Sequence, residues 1–334
     1  MALQKSSATI TAYQIESVFK QAVTFVDADV VPYNSATWTP QTDEVTREYI
    51  SSRTLLAGAP MQGKSTATGT HTMELLPDTT DSTMLVGSQL FEATLGEYMG
   101  TNAATIDLGN HTIVDHTGDG LGDAGLYYLS TGDVAAKSLG AKYVIGGVEA
   151  YSVDIRGVLV ETLKLTFPTQ GLVTAEFSMG GSTGFIPVNQ GSDLTDFCSA
   201  MTPHVARGMT VTIDGTDVCA TDLEFTITNE IADYVCVTDT GVGQKTVTKR
   251  TIEGSFKIAF ENLDQINAYN SWSSASLFAY SETLDGKLFA IELGNMQRTS
   301  LDLADDNGIF TQTVTFSATD DCSGSGMPIK IAVK

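Results

Sequence analysis

Apolar and polar residues alternate along most of the chain. "TGTHTMEL", "YSVDIRGV", "ETLKLTF", "LVTAEFSM", "MTVTIDG", "DLEFTIT", "GSFKIAF", "KLFAIEL" and "IFTQTVTFS" all follow a period of two, the pattern of antiparallel strands with one face in a core and the other in water. The chain therefore predicts a mainly β fold. Two stretches read as helices instead. "PDTTDSTMLVGSQLFEA" offers Asp78 or Asp81 as an N-cap, and "ENLDQINAYN" offers Asn262 as an N-cap with Gln265 at N3, then Leu263, Ile266 and Tyr269.

The strand pattern occurs twice. "VTFVDADV" (23–30) matches "VTIDGTDV" (211–218), "TDEV" (42–45) matches "TNEI" (228–231), and "STATGTHTMEL" (65–75) matches "RTIEGSFKIAF" (250–260), which sets Gly69 on Gly254. Both helical stretches then end alike, at "SQLF" (88–91) and "ASLF" (275–278). After them "YSVDI" (151–155) meets "FAIEL" (289–293), "TLKL" (162–165) meets "SLDL" (300–303), and "GLVTAEFSM" (171–179) meets "GIFTQTVTF" (308–316). Seven matches in one order argue for an internal repeat. The offset falls from about 187 to about 138 after the helix, so the first copy carries an insertion over about 97–147. Two domains follow, 1–186 with the insertion and 187–334.

Charge narrows the function classes. Forty acids against eighteen bases give a net charge of −22, which disfavours binding of a phosphate backbone through a basic patch. No apolar run approaches the roughly 20 residues needed to span a bilayer, and the N-terminus lacks the apolar segment of a signal peptide. The chain is expected to be made and assembled in a cytoplasm, with no membrane partner. Cys198, Cys219, Cys236 and Cys322 include no C-x-x-C pair, and are expected as reduced, mostly buried thiols.

"GAPMQGKST" (58–66) fits the phosphate-loop pattern through Gly58, Gly63, Lys64 and Ser65. Such a loop works only where it opens a helix. The following "STATGTHTMELL" alternates as a strand, so the match is accidental and no nucleotide cofactor is expected. The segments 46–64 and 232–249 occupy the same place in both copies and read as long loops, which in compact domains usually carry function. Arg47, Arg53 and Lys64 in one, and Lys245, Lys249 and Arg250 in or beside the other, make them cationic arms on an acidic chain.

The order of elements resembles the tail tube proteins of long-tailed bacteriophages. "STATGTHTMEL" leading into "SQLFEATLG", "VETLKLTFPTQGLVTAEFSMGG" as a closing hairpin, and their second copies carry the resemblance. It implies two tandem tail-tube-like β-sandwich or barrel units, each with one flanking α-helix and a long loop reaching the next ring. It further implies stacked trimeric rings of pseudo-sixfold symmetry, with hexameric rings as the alternative, around an acidic lumen that lets DNA slide. The partners it implies are further copies of the chain, tape measure protein and genomic DNA in the lumen, and tail terminator and distal tail proteins at the ends. The place is the tail of the virion, assembled in the host cytoplasm. Many relatives add an immunoglobulin-like domain; this sequence leaves outer decoration to the insertion. A surface or capsid-decoration β-sandwich of adhesin type is the alternative reading.

Asp154 and Glu292 occupy matching places on the polar side of "YSVDI" and "FAIEL", and are the candidates to face the lumen; outward solvated strand faces are the bland alternative. Asp115, Thr117, Asp119 and Gly120 half-match a calcium loop whose twelfth position is Leu126 rather than Glu. His111 and His116 have a spacing that suits neither helix nor strand for zinc, and Asp123 adds only charge, so no metal is expected. His71 and His204 have no nucleophile at a recognisable spacing, and no enzyme activity is expected.

Overall fold

The computed structural model describes residues 9–45, 61–78, 84–100, 105–107, 112–114, 125–128, 137–144, 152–188, 194, 203–206, 209–235, 242–282, 287–306, 308–318 and 328–333. Along the first half run β1 (Ile10–Ile15), β2 (Ser35–Val45), β3 (Met61–Glu74), α1 (Ser88–Leu95), β4 (Glu97–Gly100), β5 (Thr105–Asp107), β6 (Thr112–Val114), β7 (Gly125–Tyr128), β8 (Leu139–Val144), β9 (Ser152–Phe167), β10 (Thr174–Gly181) and β11 (Ile186–Val188). The second half holds β12 (Thr210–Ile213), β13 (Thr216–Val218), β14 (Ala220–Tyr234), β15 (Gln244–Ala259), α2 (Asp264–Asn270), β16 (Ser274–Glu282), β17 (Leu288–Asp306), β18 (Ile309–Ala318) and β19 (Ile329–Val333). The fold is mainly β, as the alternation predicts.

A main sheet runs β2–β3–β10–β9–β14–β15–β18–β17, antiparallel throughout. The join between β9 and β14 carries it from one half of the chain to the other, with Phe225 opposite Leu165 and Ile227 opposite Leu163. Two smaller groups lie beyond it. One is β1–β8–β9–β11, using the start of β9. The other is β12–β16–β17–β19, using the start of β17, and β19 continues into β7 and β4.

Each long strand therefore serves two groups, and both change register at a bulge. On β9 the bulge leaves Glu161 unopposed between Val160 and Thr162; on β17 it leaves Thr299 unopposed between Arg298 and Ser300. An extra residue bends a strand and steepens its twist. Gly157 lies nearby at φ +61°, a conformation that other residues adopt at a cost.

Most apolar positions of the strands meet in a large core that includes Phe177, Leu165, Phe225, Phe256, Ile291 and Phe316, while Ile10, Ala12, Val30 and Val144 form a smaller cluster. Phe167 and Phe225, one from each half, meet edge to face at 6.0 Å, so the core is continuous across the join. Full burial of side chains of this size stabilises by roughly 1.5–3 kcal/mol each.

Four expectations change. The first helix does not begin at Asp78, whose N–H donates to the Met84 carbonyl while Pro77 bridges Leu85; Asp81 lies outside the described residues. The Pro77–Leu85 bridge wins there because it puts Leu85 into the core. The helix starts only after Gly87. On α2, the Asn262 side chain accepts the Asp264 N–H at 3.0 Å, while Gln265 serves as a buried acceptor for Arg298 Nε at 2.8 Å rather than as a cap. Residues 61–64, 232–234 and 244–249, expected in loops, are strand, because the alternation of "QKTVTKRT" continues the ladder. Cys219 is exposed and free rather than buried; the other three cysteines lie outside the described residues.

Candidate functional site

The main sheet has one buried face and one wet face. Thr37, Thr70, Ser178, Thr162, Thr228 and Thr251 stand opposite one another in a row across six strands of the wet face. Thr37 and Thr70 are hydrogen-bonded through their hydroxyls at 2.7 Å. Threonine suits such a site because its branched Cβ favours the extended backbone. The neighbouring row runs Thr72–Glu176–Lys164–Thr226–Glu253–Ser317.

The charges on this face have a net sign. Lys164 pairs with Glu224 at 3.0 Å, Lys249 with Glu230 at 3.2 Å, and Lys257 with Asp306. Glu74, Glu176, Glu253 and Asp302 then leave the face negative. Hydroxyls with a carboxylate surplus hold water well and phosphate poorly.

Asp154 and Glu292 do not belong to this face. Asp154 lies in the smaller group of β9, on the side opposite the core residue Ile155, with Lys142 at 3.9 Å. Lys142 also lies 5.5 Å over the Phe25 ring. Burial pushes the Asp154 carboxyl up, and Lys142 and Arg156 pull it back. Glu292 is 3 % exposed, with Lys330 at 3.9 Å. "FAIEL" is buried on both faces, so its alternating pattern marks no surface.

The basic candidates separate. Asp233 holds Lys64 at 2.9 Å and Lys245 at 3.6 Å, joining the hairpins β2–β3 and β14–β15. Lys245 also donates to the Gly180 carbonyl. Arg250 turns inward and donates from Nε to Asn229 Oδ1 at 3.0 Å, and its burial pushes the guanidinium pKa down. Lys249 stays on the exposed face. Arg47 and Arg53 lie outside the described residues.

Asn229 was not singled out by sequence reasoning, yet it ties the halves together. Its amide donates to the carbonyls of Thr94 on α1 and Val160 on β9, at 3.2 and 3.0 Å. The available signal was an Asn in the apolar register Leu223, Phe225, Ile227, Asn229, Ile231. Glu16 is a second such residue, buried and accepting from Gly157 N–H, Lys20 N–H and Ser138 Oγ at 2.9, 2.8 and 2.7 Å.

Gly63, Lys64 and Ser65 lie within β3, so the phosphate-loop pattern opens no helix. His71 is a core residue between the Tyr13 hydroxyl and the Pro32 carbonyl, and His204 packs on Phe289. Asp115, Asp119, Asp123, His111 and His116 lie outside the described residues. Among the described residues no group of three or more His, Cys, Asp or Glu could hold a metal ion, and no helix is long and apolar enough to cross a membrane.

No curated relative matches the chain. The profile of the family described as phage tail tube protein matches residues 6–318, nearly its whole length. The mainly β fold with a continuous antiparallel sheet is thus that of a structural protein of the virion, and the chain belongs to the phage tail tube protein family.

Proposed function

We propose that the chain is a doubled tail tube unit that polymerises as stacked trimeric rings around a DNA conduit. The observation that carries this reading is the main sheet: β2–β3–β10–β9 and β14–β15–β18–β17 pair in the same order, and their wet sides form one surface. The smaller groups β1–β8–β9–β11 and β12–β16–β17–β19 also correspond, as do the bulges at Glu161 and Thr299. On this reading β8 matches β16, and the insertion is shorter than 97–147, ending before Leu139.

Three chains would contribute six such units. The lumen is lined by the hydroxyl and carboxylate face rather than by Asp154 and Glu292, so that DNA slides over a surface that repels phosphate. Tape measure protein occupies the same bore before DNA does, and terminator and distal proteins close the ends. The hairpins that carry Lys64, Lys245 and Lys249 point their connecting segments, with Arg47 and Arg53, toward the next ring. The tube is assembled in the host cytoplasm and acts without catalysis.

Electron microscopy of the purified protein with image averaging tests this. Tubes of constant bore with three chains per ring are expected. Six chains per ring would overturn the doubling, a bore lined by lysine and arginine the lumen, and discrete particles the tube itself.

A further inference from the structure

A cleft of about 700 Å³ lies between the hairpin β12–β13 and α2. Sites for small ligands fall in the range of about 300–1,000 Å³. α1 buries most of its residues, whereas α2 buries only Gln265 and leaves this cleft open beside it.

Two buried polar side chains form its floor. Gln312 is 1 % exposed, and the repeat sets it on Ala175, so an amide stands where the other half has a methyl group. Its Nε2 donates to the Asn262 carbonyl at 3.2 Å, while its Oε1 has no hydrogen-bond partner among the described residues. Arg298 is 3 % exposed and engaged: Nε donates to Gln265 Oε1 at 2.8 Å and Nη1 to the Ser273 carbonyl at 3.3 Å. Buried acceptors are nearly always satisfied. The Gln312 oxygen is therefore an acceptor available to the donor of a guest.

The rim is anionic. Asp214, Asp217, Glu261 and Asp264 line the cleft, and among the described residues no lysine does. None of the ion pairs among the described residues involves these four carboxylates. Asp214 is occupied otherwise, since it accepts the Ser276 N–H at 2.8 Å and its charge acts on Arg298. The other three remain for a guest. They do not converge: among the described residues no group of three or more such side chains could hold a metal ion, which needs its oxygens gathered around one point. Spread charges suit a cation whose own charges are spread along a chain. Val211, Val218, Ile258 and Ala268 give the same cleft apolar lining between the polar positions.

We propose that this cleft binds a linear aliphatic polyamine. One ammonium group donates to Gln312 Oε1, the methylene segments lie along Val211, Val218 and Ile258, and the remaining ammonium groups meet Asp217, Glu261 and Asp264. A neutral donor would satisfy Gln312 alone, and an anion would be repelled by the rim.

Cys219 lines the cleft and is exposed, so its thiol reports occupancy. In full-length protein carrying Cys198→Ser, Cys236→Ser and Cys322→Ser, alkylation of Cys219 by iodoacetamide is timed against spermidine concentration at low salt, and spermidine binding is titrated by calorimetry. One saturable site per chain and a several-fold slowing of alkylation are expected, while Mg²⁺ at matched ionic strength leaves the rate unchanged. Gln312→Leu is expected to weaken spermidine about tenfold or more, and Asp217→Asn with Glu261→Gln several-fold. Glu176→Gln with Glu253→Gln, on the wet face of the main sheet, is expected to change nothing. The rim variant changes only exposed side chains, so its result stands whether or not Gln312→Leu alters packing. Uptake that does not saturate, protection that Mg²⁺ reproduces, or a loss as large in the wet-face variant as in the rim variant overturns the site and leaves the tube reading standing. Unchanged affinity in the rim variant does the same.

Discussion

The indole of Trp38 lies across Gly69 on the neighbouring strand, so close that a Cβ at residue 69 would sit 2.5 Å from the ring. Gly254 is equally confined: a Cβ there would meet the Phe316 ring and the Glu224 carbonyl, each at 2.4 Å. Inserting a methyl into such packing costs typically about 1–3 kcal/mol. Gly69→Ala and Gly254→Ala are each expected to lower the urea midpoint of unfolding. Gly254→Ala should cost more, because the Glu224 carbonyl belongs to a paired strand and cannot swing aside as an indole can.

Asn229 supports a second prediction. It is buried and serves three partners: the Thr94 and Val160 carbonyls and Arg250 Nε. Leucine has nearly the same shape but leaves those groups unsatisfied, at about 1–3 kcal/mol for each buried group that water cannot reach. Asn229→Leu is expected to destabilise by several kcal/mol. Hydrogen exchange should report the loss first along β14 and α1, where the two halves meet.

Those two residues show how far the sequence could be read. The alternation located the strands because a half-buried strand writes its burial into a period of two. The repeat set Gly69 on Gly254 and Met179 on Phe316, and in the fold Gly69 lies opposite Met179 and Gly254 opposite Phe316. Which strands adjoin was not legible. The β9–β14 join links residues far apart in the chain, and nothing local in "ETLKLTF" names its neighbour. The same blindness hid the surroundings of Glu292, since alternation cannot tell a strand covered on both sides, as "FAIEL" is, from one with a wet face. "PDTTDSTM" misled in the other direction: capping residues favour turns as much as helices, and Asp78 sits beside a Pro77–Leu85 bridge that buries Leu85 rather than at the start of α1.

The core histidines predict a pH dependence. Burial pushes the pKa of both His71 and His204 down to about 4, from an ordinary value of 6.5. Between these values the unfolded chain binds the proton and the folded chain does not. Their contribution is therefore complete above pH 6.5 and is lost as pH falls toward 4, on the order of 3 kcal/mol per histidine. Glu16, Asp29 and Asp154, whose carboxyls burial pushes up, act in the opposite sense at the acid end. Among the described residues, neither ring nitrogen of His204 has a hydrogen-bond partner. His204→Leu is thus expected to stabilise the fold at pH 5 more than at pH 8, seen as a flatter plot of unfolding free energy against pH.

Glu16 joins the halves through a backbone knot rather than a ladder. Its carboxylate accepts the N–H groups of Gly157 and Lys20 and the hydroxyl of Ser138. Lys20 and Gly157 both have left-handed backbones, φ +63° and +61°. The Lys20 ammonium in turn donates to the Val242 carbonyl in the second half, at 2.8 Å. Glutamine keeps the volume but replaces one acceptor oxygen with an NH₂ that faces donors, so at least one buried N–H loses its partner. Glu16→Gln is expected to cost about 1–3 kcal/mol, with faster amide exchange at Gly157 and Lys20. Because Lys20 reaches Val242 only from the left-handed turn that Glu16 holds, exchange at Val242, whose N–H donates to the Ser182 carbonyl, should rise with it. Unchanged exchange at Val242 would mean that the hairpin β14–β15 keeps its place without Lys20.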